Sequence, residues 1–241
     1  MNWYKIARHN VFLPNNVATT LKDAASYIVD DYDRFSSSQE QSKILSPITF
    51  FDKYTNSPIH IGLVVIKRTC PYPYAIGGGV AWHDTDRNAI VICVDNAFDI
   101  AGQLNISDKT GLKQFLFDTL KHEFTHVVDL VSPYRKKIRR ETDYYVVPAE
   151  INAYSSAMTE AFKRCLIGPD SKRNAQVILN WLRSYDTQST WPSCVHEMYK
   201  FVFKIWSDRK RFKIIKLVKQ RIYDGLKDKL PASDNKFGGD R

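Results

Sequence analysis

His122-Glu123-Phe124-Thr125-His126 carries the residue types and the spacing of hydrolytic metal chemistry. On an α-helix, residues four apart lie one above the other on the same face. His122 and His126 can therefore each turn an imidazole nitrogen toward one ion, at about 2.0–2.1 Å if that ion is zinc. Glu123 lies about 100° further round the helix. There its carboxylate can take a proton from an attacking water. In a chain of 241 residues the pattern arises by accident at about the one-per-cent level.

The surrounding residues predict the helix that would hold this pair. It runs from Thr110, the expected N-cap, to Val131, with Pro133 as its stop. Leu116, Leu120, Phe124, Val127 and Val131 recur at three- and four-residue steps, which predicts an amphipathic helix packed on a core. Such packing supplies the rigidity a metal site requires.

Catalytic zinc usually has three protein ligands and one open position. No histidine follows His126 until His196, so the third ligand is sought elsewhere. Glu150 is the best candidate, in the first turn of a helix that Pro148 begins. Ile151, Tyr154, Met158 and Phe162 mark the buried stripe of that helix. The plain alternative for Glu150 is a charge favoured by the helix N-terminus. Asp129, three residues after His126, is placed to accept a hydrogen bond from an imidazole N–H or to end the helix in solvent. A charged tetrahedral transition state also needs a donor. Tyr144 and Tyr145, just before Glu150, are the nearest candidates, since a phenol keeps its proton at neutral pH. As plain aromatics they would cover the core instead. His83 and His196 are weaker options for that donor.

A His-Glu-x-x-His helix followed on the next helix by a lone glutamate resembles the gluzincin group of zinc metallopeptidases. The string His122 to Asp129 also resembles the active-site helix of the anthrax lethal factor family. The resemblance implies His122, His126 and Glu150 as zinc ligands and Glu123 as catalytic base, with a tyrosine or histidine as oxyanion donor. It covers about forty residues, Thr110 to Phe162. Thermolysin-type enzymes place an aspartate four residues after the ligand glutamate, where this chain has Tyr154. The opening Met1 to Ala7 resembles the starts of phage-encoded proteins.

Upstream, Ile59–Lys67, Ala75–His83 and Ala89–Val94 read as strands, the last two joined by a polar turn at Asp84–Asn88. Gly77, Gly78 and Gly79 mark either a bulge or a place where another backbone comes close. In zincins the strand before the metal helix pairs with an extended substrate. Gly79, Val80, Ala81 and Trp82 are the substrate-binding residues that likeness implies.

Hydrophobic content of 44% supports a packed core. No apolar run is long enough for a membrane span, and Lys5, Arg8, His9 and Asn10 interrupt any signal-peptide core. Cys70, Cys93, Cys165 and Cys194 lack metal-site spacing and read as free or buried thiols in a reducing compartment. The expectation is an intracellular protein with no membrane partner, or one associated with a virion.

The formal charge of +9 is concentrated near the C-terminus, where residues 200–229 hold eleven Lys or Arg against three Asp. Phe212, Ile215, Val218, Ile222 and Leu226 run through that stretch at helical spacing, with Ser207 as expected N-cap. It reads as a solvated face over a core-packed stripe, or as a footprint for nucleic acid or an acidic partner. No sequence-specific recognition motif accompanies it. A second basic run, Arg135 to Arg140, lies between the two helices that bear the proposed ligands.

Asn16–Asp33 and Ser171–Tyr185 add further helices, Ser36–Ser38 a break, Gly168-Pro169 a helix end and Pro192 another start. Strands followed by helices predict an α+β, zincin-like fold with a small mixed sheet. The expected division is a core at 1–165, a helical part at 166–230 and a disordered tail at 231–241. The expected activity is zinc-dependent endopeptidase, acting on a peptide or protein substrate. The rival is a zinc-containing binding module whose basic helices hold nucleic acid.

Overall fold

The computed structural model describes residues 15–33, 42–52, 57–66, 81–84, 88–131, 148–184, 191–192, 195 and 197–231. Among them the chain forms α1 (Asn15–Asp30), β1 (Ser42–Asp52), β2 (Ser57–Ile66), β3 (Ala81–Asp84), β4 (Ala89–Cys93), α2 (Val94–Gln103) and α3 (Lys109–Val131). Four more helices follow: α4 (Pro148–Cys165), α5 (Ser171–Arg183), α6 (Glu197–Asp208) and α7 (Phe212–Leu226). The fold is α+β, as expected. Two compact units divide it, one within Val11–Lys137 and one built mainly from Ile138–Arg241.

The first unit holds a mixed sheet in the order β1-β2-β4-β3. β1 and β2 are antiparallel, β2 and β4 parallel, and β3 and β4 antiparallel. β4 is buried from Ala89 to Cys93, as a strand between two neighbours with both faces covered must be. In β2 the buried residues alternate (Ile61, Leu63, Val65), the two-residue period of a strand with one well-covered face. β1 lies at an edge, and its register shifts between Leu45 and Ile48. Pro47 falls in that gap; it has no N–H to donate, which an edge strand tolerates.

The turn before β4 contains Asn88 at φ +48°, a left-handed conformation that asparagine adopts more readily than most residues. Its side chain donates to the His60 carbonyl at 2.7 Å, and its own carbonyl accepts from the Gly62 N–H at 2.9 Å. A Cβ on Gly62 would lie 3.1 Å from that of Ala89, so the approach of β2 to β4 needs a glycine there.

α3 packs against α1, α2, β3 and β4. Its start differs from the reading that made Thr110 the cap. The Asp108 carboxylate accepts from the Gly111 N–H at 2.8 Å, and the Asp108 carbonyl from Leu112 at 3.0 Å. Asp108 is therefore the cap, one residue before a helix that begins at Lys109. Its carboxylate also suits the positive helix end. α3 is also less amphipathic than expected. Leu116, Leu120, Phe124 and Val127 are buried as expected, but so are Asp118 and Lys121, at 1% and 0% exposure.

The second unit is a helical bundle. α4 begins at Pro148, as expected of a residue that lacks the N–H an N-terminal turn leaves unused. Ile151, Tyr154, Met158 and Phe162 line its core. Gly168, at φ +98°, follows its end. Aromatic rings from α4, α5 and α6 meet around Trp181, 5.2 Å from Phe162 and 5.1 Å from Phe203 between centroids. α7 packs on α4, α5 and α6.

The basic stretch is two helices rather than one, with Ser207 inside α6 and Arg211 as the cap of α7. Ile215, Val218, Ile222 and Leu226 are buried, while Phe212 is 59% exposed. Two of its cations are internal. Lys219 donates to the carbonyls of Trp181 and Ser184, both at 2.7 Å, and lies 4.5 Å from the Trp181 ring centroid. Arg221 donates to the Ser155 hydroxyl at 3.2 Å. These two tie α7 to α5 and α4 and form no part of a surface field.

The thiol reading holds for Cys93, which is a buried thiol, but not for Cys165, which is disulfide-bonded. Bridging depends on where cysteines meet in the fold, which sequence spacing does not disclose. Disulfides persist in oxidising surroundings, so the cysteines no longer argue for a reducing compartment. Among the described residues no helix is long and apolar enough to cross a membrane. The Ser36–Ser38 break, the Arg135–Arg140 run and the tail beyond Pro231 lie outside the described residues.

Two measurements check these assignments. Asp108→Ala is expected to lower the unfolding free energy by about 1 kcal/mol in urea titration, and Thr110→Ala by less than about 0.5 kcal/mol. Equal losses would return the cap to Thr110. Under denaturing conditions Cys93 should alkylate without reductant and Cys165 only after reduction, as read by peptide mass spectrometry.

Candidate metal centre

α3 positions three side chains of the His-Glu-x-x-His motif within reach of one ion. The ligand atoms of His122, Glu123 and His126 all lie within 4.8 Å of one another. The two Nε2 atoms are 3.1 Å apart, with ring planes at 85°. Two nitrogens bound tetrahedrally to zinc would be separated by about 3.3–3.4 Å, given bonds of about 2.0–2.1 Å. The pair is therefore spaced for one shared partner. That partner is a proton on one nitrogen, giving a hydrogen bond, or a metal ion when both nitrogens are unprotonated.

Burial decides which side of this pair is open. His122 is 7% exposed, and Phe124, Thr125 and Val127 beside it are buried. Thr119, Glu123 and His126 are half-buried and recur at i, i+4 and i+7, which makes them one stripe of the helix. Nearly every other residue from Phe115 to Val127 is enclosed. The motif thus spans the boundary of the core, with His122 beneath and Glu123 and His126 at its accessible edge. A catalytic metal centre needs a side that water can reach, which a closed structural site lacks.

The local fold fixes this orientation. α3 continues from the capped Asp108 turn, and the ion pair of Lys113 with Asp30, at 2.7 Å, links its first turns to α1. The Thr125 hydroxyl donates to the Lys121 carbonyl at 2.9 Å within the helix, so no polar group of Thr125 competes for the ion.

Asp118 and Lys121 are enclosed charges next to the motif that the sequence reading passed over. They stand three apart, the spacing at which opposite charges share a helix face. An isolated buried charge is costly, so a D-x-x-K pair inside an apolar run was the available signal.

The other site residues divide by position. Glu150 lies in the first turn of α4, in the second unit, and is 8% exposed. Ala81 and Trp82 are in β3, paired with Ile92 and Val91 of β4. Gly79, Val80, Tyr144, Tyr145 and His196, and the side chains of His83 and Asp129, lie outside the described residues.

No protein-family model, curated protein or solved structure matches this chain. The metal reading rests on the motif and its geometry.

The purified protein should bind one divalent transition ion per chain by elemental analysis. His122→Ala and His126→Ala should each abolish that stoichiometric binding. Metal at 100 times its dissociation constant should stabilise the fold by about 2.7 kcal/mol, with a chelator reversing the rise in melting temperature. Full retention of metal by either variant would place the ion elsewhere.

Proposed function

We propose that the protein is a zinc-dependent endopeptidase. One observation supports this above the others: two imidazole nitrogens 3.1 Å apart, on one buried and one half-buried histidine, with the half-buried Glu123 carboxylate beside them. Histidine nitrogens with a carboxylate suit zinc among the first-row ions. Bound zinc would supply Lewis acidity that makes water a nucleophile near neutral pH.

In this reading His122 and His126 hold the ion, and Glu150 is the third ligand that the resemblance to gluzincins implies. Glu123 takes the proton of the attacking water and passes it to the leaving amine, so the product departs uncharged. Tyr144 or Tyr145 donates to the oxygen that gains charge. Asp129 accepts from a ligand imidazole, fixing which ring nitrogen faces the ion.

Strand geometry favours a peptide over a small substrate. β3 is antiparallel to β4, packs against α3, and among the described residues pairs with β4 alone. In this reading its outer edge aligns an extended chain by main-chain hydrogen bonds, which read backbone rather than side chains. Ala81 and Trp82 would be the paired residues, continued by Gly79 and Val80.

Glu123→Gln separates chemistry from binding. It should keep the metal and lose about 10²–10⁴-fold in turnover, measured by mass spectrometry of peptides released from an unfolded protein mixture. Undiminished cleavage would remove Glu123 from the mechanism. Glu150→Ala should lose metal, and unchanged metal content would assign the third ligand to another residue.

A further inference from the structure

We infer that the elbow between α6 and α7 is a binding site for single-stranded nucleic acid, independent of the metal centre. Residues 204–216 hold six cations, Lys204, Arg209, Lys210, Arg211, Lys213 and Lys216, against the single acid Asp208. All six are exposed. Of the other cations in the basic stretch, Lys219 and Arg221 are enclosed and bonded within the bundle, Lys200 is paired with Glu197, and the exposed Lys227 and Lys229 flank Asp228. The outward charge is thus gathered at the turn.

Two aromatic rings accompany it. Phe201 is 44% and Phe212 59% exposed, while the other phenylalanines described on α4 and α6, Phe162 and Phe203, are fully buried. Exposed rings among cations form the stacking platform and charged track that unpaired bases and their phosphates require. A membrane surface is the poorer partner. The apolar faces of both helices, including Trp206 and Val218, are turned into the core. No apolar helix face is left to lie in a bilayer interface.

The backbone gives an independent reason. The Arg211 N–H donates to the Trp206 carbonyl at 2.7 Å, and the Lys210 N–H to the Ser207 carbonyl at 2.8 Å. This is the Schellman pattern that ends a helix, and its left-handed position is normally glycine. Here it is Lys210, at φ +53°. A lysine there gives up conformational ease and keeps a cation at the apex of the turn. Strained non-glycine residues tend to persist where their side chains are used.

The test uses the full chain and a fluorescein-labelled oligodeoxythymidylate, followed by anisotropy across a salt series. Wild type should bind, with log affinity falling about 0.7 per phosphate contact per unit of log salt. Lys213→Glu with Lys216→Glu should weaken binding at least tenfold and flatten the slope, and Phe212→Ala should weaken it severalfold. Lys210→Gly should raise the melting temperature by about 2–4 °C while lowering affinity, an opposition that a purely structural turn would not produce. Affinity unchanged by charge reversal would overturn the inference. So would absence of binding at low salt, or preference for phosphatidylserine vesicles over the oligonucleotide. Metal content should be unchanged in all these variants, which keeps this result separate from the peptidase reading.

Discussion

Enclosure of α3 is the constraint on which the first unit depends. A helix packed by α1, α2, β3 and β4 has little surface left, and from Phe115 to Val127 what remains is the stripe of Thr119, Glu123 and His126. Placing His122 one position off that stripe puts one imidazole in the core and the other at its edge. The i, i+4 spacing brings the two rings onto neighbouring turns, and their nitrogens sit 3.1 Å apart. Buried polar groups need partners, and an unsatisfied one costs about 1–3 kcal/mol. The short nitrogen–nitrogen separation suits a shared proton or a shared ion.

The second unit meets a related demand differently. Its charge is split between cations that hold the bundle together and cations that face solvent. Lys219 reaches two carbonyls near the end of α5, where helix carbonyls lack partners of their own and the dipole favours a cation. The ring of Trp181 beneath it adds a cation–π contact. Arg221 joins the polar side of α4 through Ser155. A basic sequence segment is therefore neither wholly a surface patch nor wholly a core element. Its turn carries the densest run of exposed cations, six against the single acid Asp208.

Much of this was legible in the residues, and the exceptions share a cause. The helix that bears the His-Glu-x-x-His motif, the Pro148 helix and the stripe Ile151-Tyr154-Met158-Phe162 follow from periodicity and terminal signals, which are local. β4 and the turn at Asn88 follow likewise. α2 escaped because Val94, Ala97 and Ala101 make a thin stripe of small residues after a strand. Asp108 outcompeted Thr110 as cap because a carboxylate accepts from the chain and suits the positive helix end. The enclosure of Asp118, Lys121, Lys219 and Arg221 and the bridge at Cys165 depend on tertiary neighbours. No window of sequence contains those neighbours. The unexpected exposure of Phe212 has the same origin, since the break at Lys210 begins a new helix and rotates that ring out of the stripe.

X-ray absorption at the metal edge of the zinc-loaded protein tests the central claim most directly. The account predicts two imidazole ligands, visible by their multiple scattering, within a shell of nitrogen and oxygen at about 2.0–2.1 Å. A spectrum with sulfur at about 2.3 Å, or without the imidazole signature, would contradict it.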